Sequence, residues 1–422
     1  MEIKQLYNLY RQCAGVNTDT RTLKPGQLYI ALKGENFDGN TFALKALEAG
    51  AAYAVVNNSL EAEDPRLIKV EDTLATLQAL AAFHRQQFRI PVIGLTGTNG
   101  KTTTKELIKA VLSAQYRVTA TEGNLNNDIG VPLSVLKINA DTQIAIIEMG
   151  ASHPEDLKPL LAVSQPTHGL ITNVGKAHLL GFGSFEGVKH AKGLLYDYLK
   201  EHEGVAFANA DDEVLEEMLW DRGMTRIPYG MEGVKLLPSS AEEPFLQMQF
   251  EDGYVLKTSL VGAYNANNVL AALKIGWLFD VPLELSRKAV EAYVPSNNRS
   301  QLMKTERNTV IVDAYNANPS SMKVALDNLS LVEGRKVALL GEMRELGADA
   351  AAEHRRVVER LSGKEAFLVG EEFIRAAEGT GIPCFPTSDA LAAHLAEHPL
   401  EGCTVLVKGS RGTRMEKVLE KL

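Results

Sequence analysis

Apolar residues in the middle of the chain form short runs, each ending in glycine or a polar residue. The intervening stretches have helical spacing, as in Thr103–Gln115, where Leu107, Ile108, Val111 and Leu112 share one face. The strand-like runs are Pro91–Gly97, Gln143–Gly150, His168–Gly175 and Val205–Ala210. Buried strands alternating with helices predict a mainly parallel sheet that is covered on both faces.

The two ends of the chain show similar alternations. The N-terminal pattern predicts strands at Gln27–Leu32 and Ala52–Asn57 and helices at Thr41–Ala51 and Leu74–Gln87. The C-terminal strands are predicted at Val310–Asp313, Lys336–Gly341, Ala366–Gly370 and Thr404–Lys408. We therefore predict an α/β protein of three domains: 1–86, 87–294 and 295–422. Ligands of open α/β sheets bind at the carboxyl ends of the strands.

Length and composition narrow the class of protein. A chain of 422 residues exceeds the roughly 250–300 residues that one core serves. The net charge of −9 argues against a basic surface for nucleic acid but leaves room for a local phosphate cleft. Cys13, Cys384 and Cys403 are too few and too irregularly spaced for a disulfide framework or a zinc site. With no signal peptide and no run of about 18 apolar residues, we expect a cytoplasmic protein without membrane insertion.

The clearest local motif is GLTGTNGKT at residues 94–102, where an apolar strand runs through glycines into a helix. Glycines let backbone N–H groups approach an anion, and the helix N-terminus adds a positive dipole end. Lys101 can then reach the β- and γ-phosphates of a nucleotide, and the Thr102 hydroxyl can bind Mg²⁺. Strict Walker spacing would require glycine where the chain has Leu95, so the motif is the shorter GTNGKT. It predicts nucleoside triphosphate binding and does not specify a reaction.

Three further residues have chemistry that suits a phosphate site. Glu148 ends an apolar strand and could hold Mg²⁺, or could equally be a salt-bridged acid. His178 follows another strand, but because Mg²⁺ prefers oxygen ligands, its chemistry alone favours an ordinary loop histidine. Lys192 lies in a predicted helix, where most lysines are solvated, and Lys189 has a similar claim. These alternatives stay open at this point.

A polar, glycine-rich loop, EGNLNNDIGVPL at residues 122–133, connects two predicted parts of the nucleotide domain. Its asparagines, Asn124, Asn126 and Asn127, could bind a polar ligand or could simply form turns. Its place between two predicted strands of that domain modestly favours a ligand.

Taken together, these strings resemble the Mur ligase family in their order along the chain. They are GTNGKT (97–102), EGNLNNDIGVPLS (122–134), EMG (148–150), NVGKAHL (173–179) and AKG (191–193). Other strings are similar to the branch of the family that adds D-alanyl-D-alanine. They are DTR (19–21), ALKGENFDGNTF (31–42), YNANPSS (315–321), GEMRELG (341–347) and VKGSR (407–411). The resemblance spans essentially the whole chain and implies an N-terminal substrate domain, a central P-loop ATPase domain and a Rossmann-like C-terminal domain.

The resemblance also implies roles for individual residues. Lys101, Lys192 and His178 would be catalytic, and two magnesium ions would be held by Thr102, Glu148, His178 and a carbamylated Lys192. The nucleotide, ATP, would contact Gly97, Thr98, Asn99, Gly100, Lys101, Thr102 and Thr103, with Asn265 and Asn268 at adenine and Arg299 and Asp313 at phosphate and ribose. The substrates would contact Asp19, Thr20, Arg21, Asn124, Asn126 and Asn127, and on the acceptor side Asn316, Asn318, Lys408 and Arg411. Departures from the family pattern occur at Tyr264, at Leu194 and in PSNNR (295–299).

The reaction implied is ATP-dependent, ADP-forming ligation of D-alanyl-D-alanine to UDP-N-acetylmuramoyl-tripeptide through an acyl phosphate, in peptidoglycan precursor synthesis. The expected protein is a monomer whose C-terminal domain closes about a hinge near residues 294–300. A sister ligase that adds another amino acid, or glutamate to folate, is the nearest alternative. A P-loop regulator without ligase chemistry is another, and a dehydrogenase is disfavoured because no GxGxxG opens a helix with an acid about 20 residues later.

Overall fold

The computed structural model of the protein describes residues 1–34, 37–238, 244–295, 299 and 301–422. The helices of the N-terminal part are α1 (Ile3–Tyr10), α2 (Ala43–Glu48) and α3 (Thr73–Arg85), with a 3₁₀ turn at Gly39–Phe42. Its strands are β1 (Val16–Asn17), β2 (Leu28–Ile30), β3 (Lys33–Gly34), β4 (Phe37–Asp38), β5 (Tyr53–Asn57) and β6 (Leu67–Val70). A parallel sheet runs in the order β1-β2-β5-β6, and β3 and β4 form a hairpin.

The central part is built on a parallel sheet of order β12-β11-β10-β7-β9-β8. Its strands are β7 (Val92–Thr96), β8 (Val118–Ala120), β9 (Ile144–Glu148), β10 (His168–Ile171), β11 (Val205–Asn209) and β12 (Arg226–Tyr229). The helices are α4 (Lys101–Ser113), α5 (Gly130–Val135), α6 (Leu157–Ser164), α7 (Leu179–Phe182), α8 (Phe185–Glu201), α9 (Glu213–Trp220), α10 (Asn265–Leu278) and α11 (Leu283–Ala292).

Alternating side chains of the central strands supply two separate cores. Ile146 packs with Leu107 and Leu270 on the face covered by α4 and α10, whereas its neighbour Ile147 packs with Leu195 on the face covered by α8. Adjacent strand residues point to opposite faces, so a strand buried on both faces is apolar throughout. The mainly parallel, doubly covered sheet predicted from the sequence is confirmed.

An antiparallel ribbon follows the central sheet and was not predicted. Its strands are β13 (Val234–Leu236), β14 (Phe245–Phe250) and β15 (Val255–Val261), paired in the order β13-β14-β15. Its inner residues, such as Met248 and Leu256, are fully buried against the central core. Alternating residues in such short strands give a weaker signal than the continuous apolar runs of a parallel sheet.

The C-terminal part has a sheet of order β16-β17-β21-β18-β19-β20, parallel except for the β16–β17 pair. Its strands are β16 (Gln301–Lys304), β17 (Thr309–Asp313), β18 (Lys336–Gly341), β19 (Glu365–Val369), β20 (Cys384–Phe385) and β21 (Thr404–Lys408). Its helices are α12 (Pro319–Leu331), α13 (Ala350–Arg360), α14 (Glu371–Ala376) and α15 (Ser388–Glu397), with 3₁₀ turns at Gly347–Asp349, Arg411–Thr413 and Met415–Lys421. An open α/β sheet was predicted here, and the antiparallel edge strand β16 is an addition.

Some expectations fall on residues outside the described ranges. Residues 35–36 of the string at 31–42 are among them. So are residues 296–298 of the PSNNR segment, which with residue 300 form most of the expected hinge near 294–300. Within the described part of the chain, no helix combines the length and the apolar character that a membrane crossing needs.

Arg85, at the end of α3, is hydrogen-bonded to the end of α6 and to the segment that leads into β7. It is 6% exposed, and its guanidinium donates to four carbonyl oxygens at 2.6 to 3.3 Å. The acceptors belong to Phe88, Ile90, Ser164 and Gln165. Because Arg85→Ala leaves several buried acceptors without a donor, we expect the free energy of unfolding to fall by about 2–4 kcal/mol.

Urea denaturation followed by circular dichroism would measure this decrease in stability. Arg89→Ala is the matched control, because Arg89 is exposed four residues further along the chain. Its effect should stay within about 0.5 kcal/mol. Equal urea concentrations at half-unfolding for the two variants would show that the Arg85 hydrogen bonds do not stabilise this contact between α3 and the central part.

Candidate active site

The phosphate loop lies between the end of β7 and the start of α4. Gly97 and Gly100 have φ values of +145° and +80°. A Cβ atom on Gly97 would lie 2.0 Å from the Thr172 hydroxyl oxygen, and one on Gly100 would lie 2.8 Å from an amide oxygen of Asn268. Both positions therefore require glycine, and the tight turn directs the N-terminus of α4 into the cleft.

The segment after β10 is hydrogen-bonded to the phosphate loop. Asn173 accepts a hydrogen bond from the Asn99 backbone N–H at 3.0 Å and donates to the Asn99 carbonyl at 3.0 Å. The Thr172 hydroxyl donates to the same carbonyl at 2.6 Å, and the Gly175 N–H donates to the Thr98 hydroxyl at 2.9 Å. Sequence reasoning missed Asn173 and Thr172 as site residues, although Asn173 opens the NVGKAHL string and Thr172 directly precedes it.

Lys101 folds back over this loop. Its ammonium donates to the carbonyls of Gly97 at 2.7 Å and Thr98 at 3.1 Å. Burial lowers the pKa of Lys101 to about 8; Glu148 opposes this shift and Arg299 adds to it. The partly buried ammonium is thus held at the loop and lines the cavity, where it could bind phosphate charge.

Thr102 and Glu148 form a buried polar pair. The Thr102 hydroxyl lies 3.0 and 3.2 Å from the two carboxylate oxygens of Glu148, which is 1% exposed. Asn126 donates to this carboxylate at 2.7 Å, and the Glu148 N–H donates to the Thr121 hydroxyl at 3.0 Å. In the described part of the chain, Glu148 has no cationic side chain within 4.0 Å. A buried carboxylate without a cation is costly, so this pair fits a hard metal ion bound by oxygen.

Lys192 is buried in α8 and differs clearly from Lys189. Lys192 is 2% exposed; its ammonium donates to the Ala151 carbonyl at 3.3 Å and lies 5.4 Å from the Phe182 ring centroid. Burial lowers the pKa of Lys192 to about 7; the charge of Lys101 contributes to this shift and Asp156 opposes it. Lys189 instead forms an ion pair with Glu217 at 2.9 Å. The sequence left open which of these two lysines belongs to the site, and burial near Lys101 favours Lys192.

His178 reaches across the domain boundary. It has φ +50° at the start of α7, and its ring pairs with Glu345 of the C-terminal part. Burial lowers the pKa of His178, Glu345 raises it, and Lys101 and Lys192 lower it. A neutral imidazole is the form that can bind a metal. Among the described residues, no group of three or more His, Cys, Asp or Glu side chains could hold a metal ion, so the predicted set depends on the hydroxyl and on Lys192.

The asparagines predicted for adenine form a network of their own. Asn265 and Asn268 are 1% and 8% exposed, and Asn268 donates to Asn265 at 2.9 Å. The Thr104 hydroxyl donates to Asn268 at 2.9 Å, and Asn265 donates to the Val261 carbonyl at 2.9 Å. Both asparagines line the cavity, with their side chains held in place by these bonds.

The C-terminal part supplies the opposite wall. The Arg299 guanidinium carbon lies 3.7 Å from the Tyr315 ring centroid. Lys408 is 1% exposed and donates to Asp313 at 2.5 Å and to the Asn316 carbonyl at 3.1 Å, so its role in this structure is to hold that loop. Asn318 caps α12 and donates to the Asn99 side chain at 2.8 Å, which joins the C-terminal part to the phosphate loop.

One cavity of about 1030 Å³ brings most of the predicted residues together. Those lining it are Thr98, Asn99, Gly100, Lys101, Thr103, Asn126, Asn127, Glu148, His178, Asn265, Asn268, Arg299, Asp313, Asn316, Asn318 and Lys408. Outside its lining are Gly97, Thr102, Asn124, Lys192, Arg411, Asp19, Thr20 and Arg21. Of these, Arg21 pairs with Asp19 at 2.6 Å, and hydrogen bonds from the Arg21 side chain and backbone lower the pKa of Asp19 to about 2.

Comparisons with known proteins cover the same three regions. The pattern described as "Mur ligase family, catalytic domain" matches residues 12–85, "Mur ligase middle domain" matches 95–276, and "Mur ligase, glutamate ligase domain" matches 298–411. A UDP-N-acetylmuramoyl-tripeptide--D-alanyl-D-alanine ligase of Bacillus subtilis is 35% identical over 97% of this chain and 93% of its own. The Escherichia coli protein of the same name is 35% identical over 96% and 93%.

Solved structures agree with these matches. A crystal structure of MurF from Acinetobacter baumannii superposes with a TM-score of 0.87 at 29% identity, covering 100% of this chain and 98% of that one. MurF ligase from Thermotoga maritima, solved in complex with ADP, gives a TM-score of 0.84 at 27% identity over 96% of each chain.

Proposed function

This chain belongs to the Mur ligase family, and from that premise we propose that it joins D-alanyl-D-alanine to UDP-N-acetylmuramoyl-tripeptide in an ATP-dependent, ADP-forming reaction of peptidoglycan synthesis. The observation that carries the proposal is the shared cavity. The phosphate loop and Glu148 form one wall, and Arg299, Asn316 and Asn318 of the C-terminal part form the other. A nucleotide and an acceptor bound from opposite sides would thus meet inside one enclosure.

The chemistry that we propose has two steps. The tripeptide carboxylate attacks the γ-phosphorus of ATP, an O–P bond forms, and ADP leaves with the electron pair of the broken bond. The amine of the dipeptide then attacks the acyl carbon, a C–N bond forms, phosphate leaves, and the nitrogen loses a proton. Lys101, the loop N–H groups and Arg299 would stabilise negative charge on the transferring phosphoryl group. Exclusion of water by the two walls would protect the acyl phosphate from hydrolysis.

Magnesium and a modified lysine are part of this proposal. Thr102, Glu148, His178 and a carbamylated Lys192 would hold Mg²⁺, which when bound would neutralise phosphate charge. The buried carboxylate of Glu148 and the low pKa of Lys192 support this assignment. The nucleotide, substrate and domain-boundary assignments made from the sequence belong to the same proposal. We further propose that the protein is a monomer in the cytoplasm and serves cell-wall growth, cell shape and cell division. Cys13, Cys384 and Cys403 form no disulfide, which suits a reducing compartment.

The test is phosphate release from ATP and Mg²⁺ with UDP-muramoyl-tripeptide, in the presence and absence of D-alanyl-D-alanine. We expect release to require both substrates and the product to have the mass of the UDP-muramoyl-pentapeptide. A panel of single amino acids, with folate tested as the substrate that receives glutamate, addresses the sister-ligase alternative. Nucleotide binding with turnover that neither substrate changes would favour a P-loop regulator instead.

A further inference from the structure

One lysine of the phosphate-loop helix is completely buried. Lys105 lies one turn after Lys101 on α4 and is 0% exposed, whereas Lys101 is partly buried and Lys109 is exposed. Lysine is almost never fully buried unless its charge is paired and its donors are satisfied. Lys105 lies outside the lining of the large cavity of about 1030 Å³, so it would not touch the nucleotide itself. Its burial therefore requires partners within the protein.

Three acceptors surround the Lys105 ammonium. It donates to the carbonyl oxygen of Thr121 at 2.6 Å and, more weakly, to that of Gly123 at 3.4 Å. The carboxylate of Glu106, the next residue on the helix, lies 2.9 Å away. An ammonium group carries three N–H donors, so all of them can be satisfied here, and the adjacent acid balances the charge. The two carbonyls belong to the segment after β8, and the cation therefore joins α4 to that segment.

The segment after β8 opens a loop of residues 121–128, which we call the Asn126 loop. This loop contacts the end of β9 on both sides of Glu148. The Thr121 hydroxyl accepts the Glu148 N–H at 3.0 Å, and the Asn126 carbonyl accepts the Gly150 N–H at 2.7 Å. The Asn126 side chain donates to the Glu148 carboxylate at 2.7 Å. The position of the loop thus determines the direction in which this carboxylate is held.

The Asn126 loop is attached to a helix at each end. At the far end, the Gln78 side chain of α3 donates to the Asp128 carbonyl at 3.1 Å. At the near end, the bonds of Lys105 attach the loop to α4, and the Thr121 carbonyl belongs to a residue that is only 1% exposed. Water has little access to this acceptor and would replace the ammonium poorly. Without the ammonium, the loop could shift, and its asparagine would no longer fix the carboxylate at the end of β9.

We propose that Lys105 is a positioning residue for the carboxylate that binds magnesium. It acts through the Asn126 loop, which holds the Glu148 carboxylate beside the Thr102 hydroxyl. The inference rests on the proposed function and deepens it, because it adds a residue that touches neither the nucleotide nor the metal. Groups that orient a metal-binding side chain change metal affinity by about 10–100-fold when they are removed.

Binding of Mn²⁺ to the protein in the presence of ADP tests the inference without requiring turnover. Mn²⁺ takes the same oxygen ligands as Mg²⁺, and its EPR signal reports the unbound ion. Lys105→Met keeps the apolar stem of the side chain but removes the charge and the donors, so the Kd for Mn²⁺ should rise by about tenfold or more. Arg85→Ala is the matched control, because it also removes a buried cation that donates to carbonyls and should leave the Kd unchanged.

A double-mutant cycle separates positioning from a general loss of structure. Asn126→Ala removes the donor to Glu148 and should itself raise the Kd for Mn²⁺ by about tenfold. If Lys105 acts through Asn126, adding Lys105→Met to this variant should change the Kd by less than about twofold. Independent structural damage would instead multiply the two effects.

A selective rise in the Kd that is absent from the Asn126→Ala background supports the inference. An unchanged Kd in Lys105→Met or in Asn126→Ala would overturn it, as would multiplied effects, an equal rise in Arg85→Ala, or a wild-type protein that binds no Mn²⁺ with ADP. Should Lys105→Met fail to fold, Lys105→Gln replaces it with the same expected results, because its shorter side chain stays polar but loses the ion pair. Normal Mn²⁺ binding without ligation of the dipeptide would contradict the proposed function alone.

Discussion

Lys101→Ala is expected to lower the rate of ligation by about 10³-fold or more, which is the scale of removing a cation that stabilises a phosphoryl transition state. The Lys101 ammonium lies over the phosphate loop, bonded to two of its carbonyls, and burial lowers its pKa to about 8. Because the ammonium is held at the loop by these two carbonyls, its charge is positioned before the phosphate arrives, and a mobile water molecule would not reproduce it. The measurement is phosphate release with both substrates, combined with the mass of the product.

Lys109→Ala is the matched control for this variant. Lys109 lies on the same helix but is exposed, away from the cavity lining. It should leave the ligation rate at the wild-type level. If Lys101→Ala kept more than about a tenth of the wild-type rate, the lysine would not act on the transferring phosphoryl group, and the loop N–H groups alone would have to account for catalysis.

The parts of the site predictable from the sequence are those that local chemistry specifies. The phosphate loop needs positive φ at glycine and a strand followed by a helix, and all of these features are adjacent in GTNGKT. Glu148 was predictable as a strand-end acid, but its burial beside Thr102 and Asn126 depends on contacts between residues far apart in sequence. Burial likewise separates Lys192 from Lys189, which the sequence could not do.

Residues whose partners lie on elements distant in sequence could not be assigned from the sequence. Asn173 holds the loop through backbone contacts with Asn99, and nothing in its own neighbourhood indicates this partner. Glu345 meets His178 only because the C-terminal sheet packs against the central one. Lys408 was expected on the acceptor side, but its burial against Asp313 depends on the pairing of two strands that are distant in sequence.

Polar contacts join the central and C-terminal parts on either side of the large cavity. Asn318 at the start of α12 bonds to Asn99 of the phosphate loop, and Lys176 pairs with Glu353 at 3.4 Å. These two links are polar, so they can break and re-form as substrates enter and leave. The His178–Glu345 pair lies at the same boundary, so its geometry depends on how the central and C-terminal parts meet.

Lys192→Ala is expected to reduce ligation by about 10²–10³-fold, because the site would lack the group proposed to become a carbamate. Carbamate formation requires the neutral amine: its nitrogen attacks the carbon of CO₂, an N–C bond forms and one proton is released. Burial, with the charge of Lys101, lowers the pKa of Lys192 to about 7. The amine is therefore mostly neutral above pH 7 and mostly protonated below it.

Wild-type activity should accordingly fall as the pH decreases through 7, and added bicarbonate should restore part of it near pH 6.5 while changing little at pH 8. Carbon-13 NMR with labelled bicarbonate would show the carbamate signal in the wild-type protein and in Lys189→Ala, whose lysine is paired with Glu217, but not in Lys192→Ala. A bicarbonate response that persists in Lys192→Ala would assign the effect to another group. A wild-type protein with full activity and no carbamate signal would mean that Lys192 acts as an amine, and its low pKa would then serve proton transfer or close packing rather than metal binding.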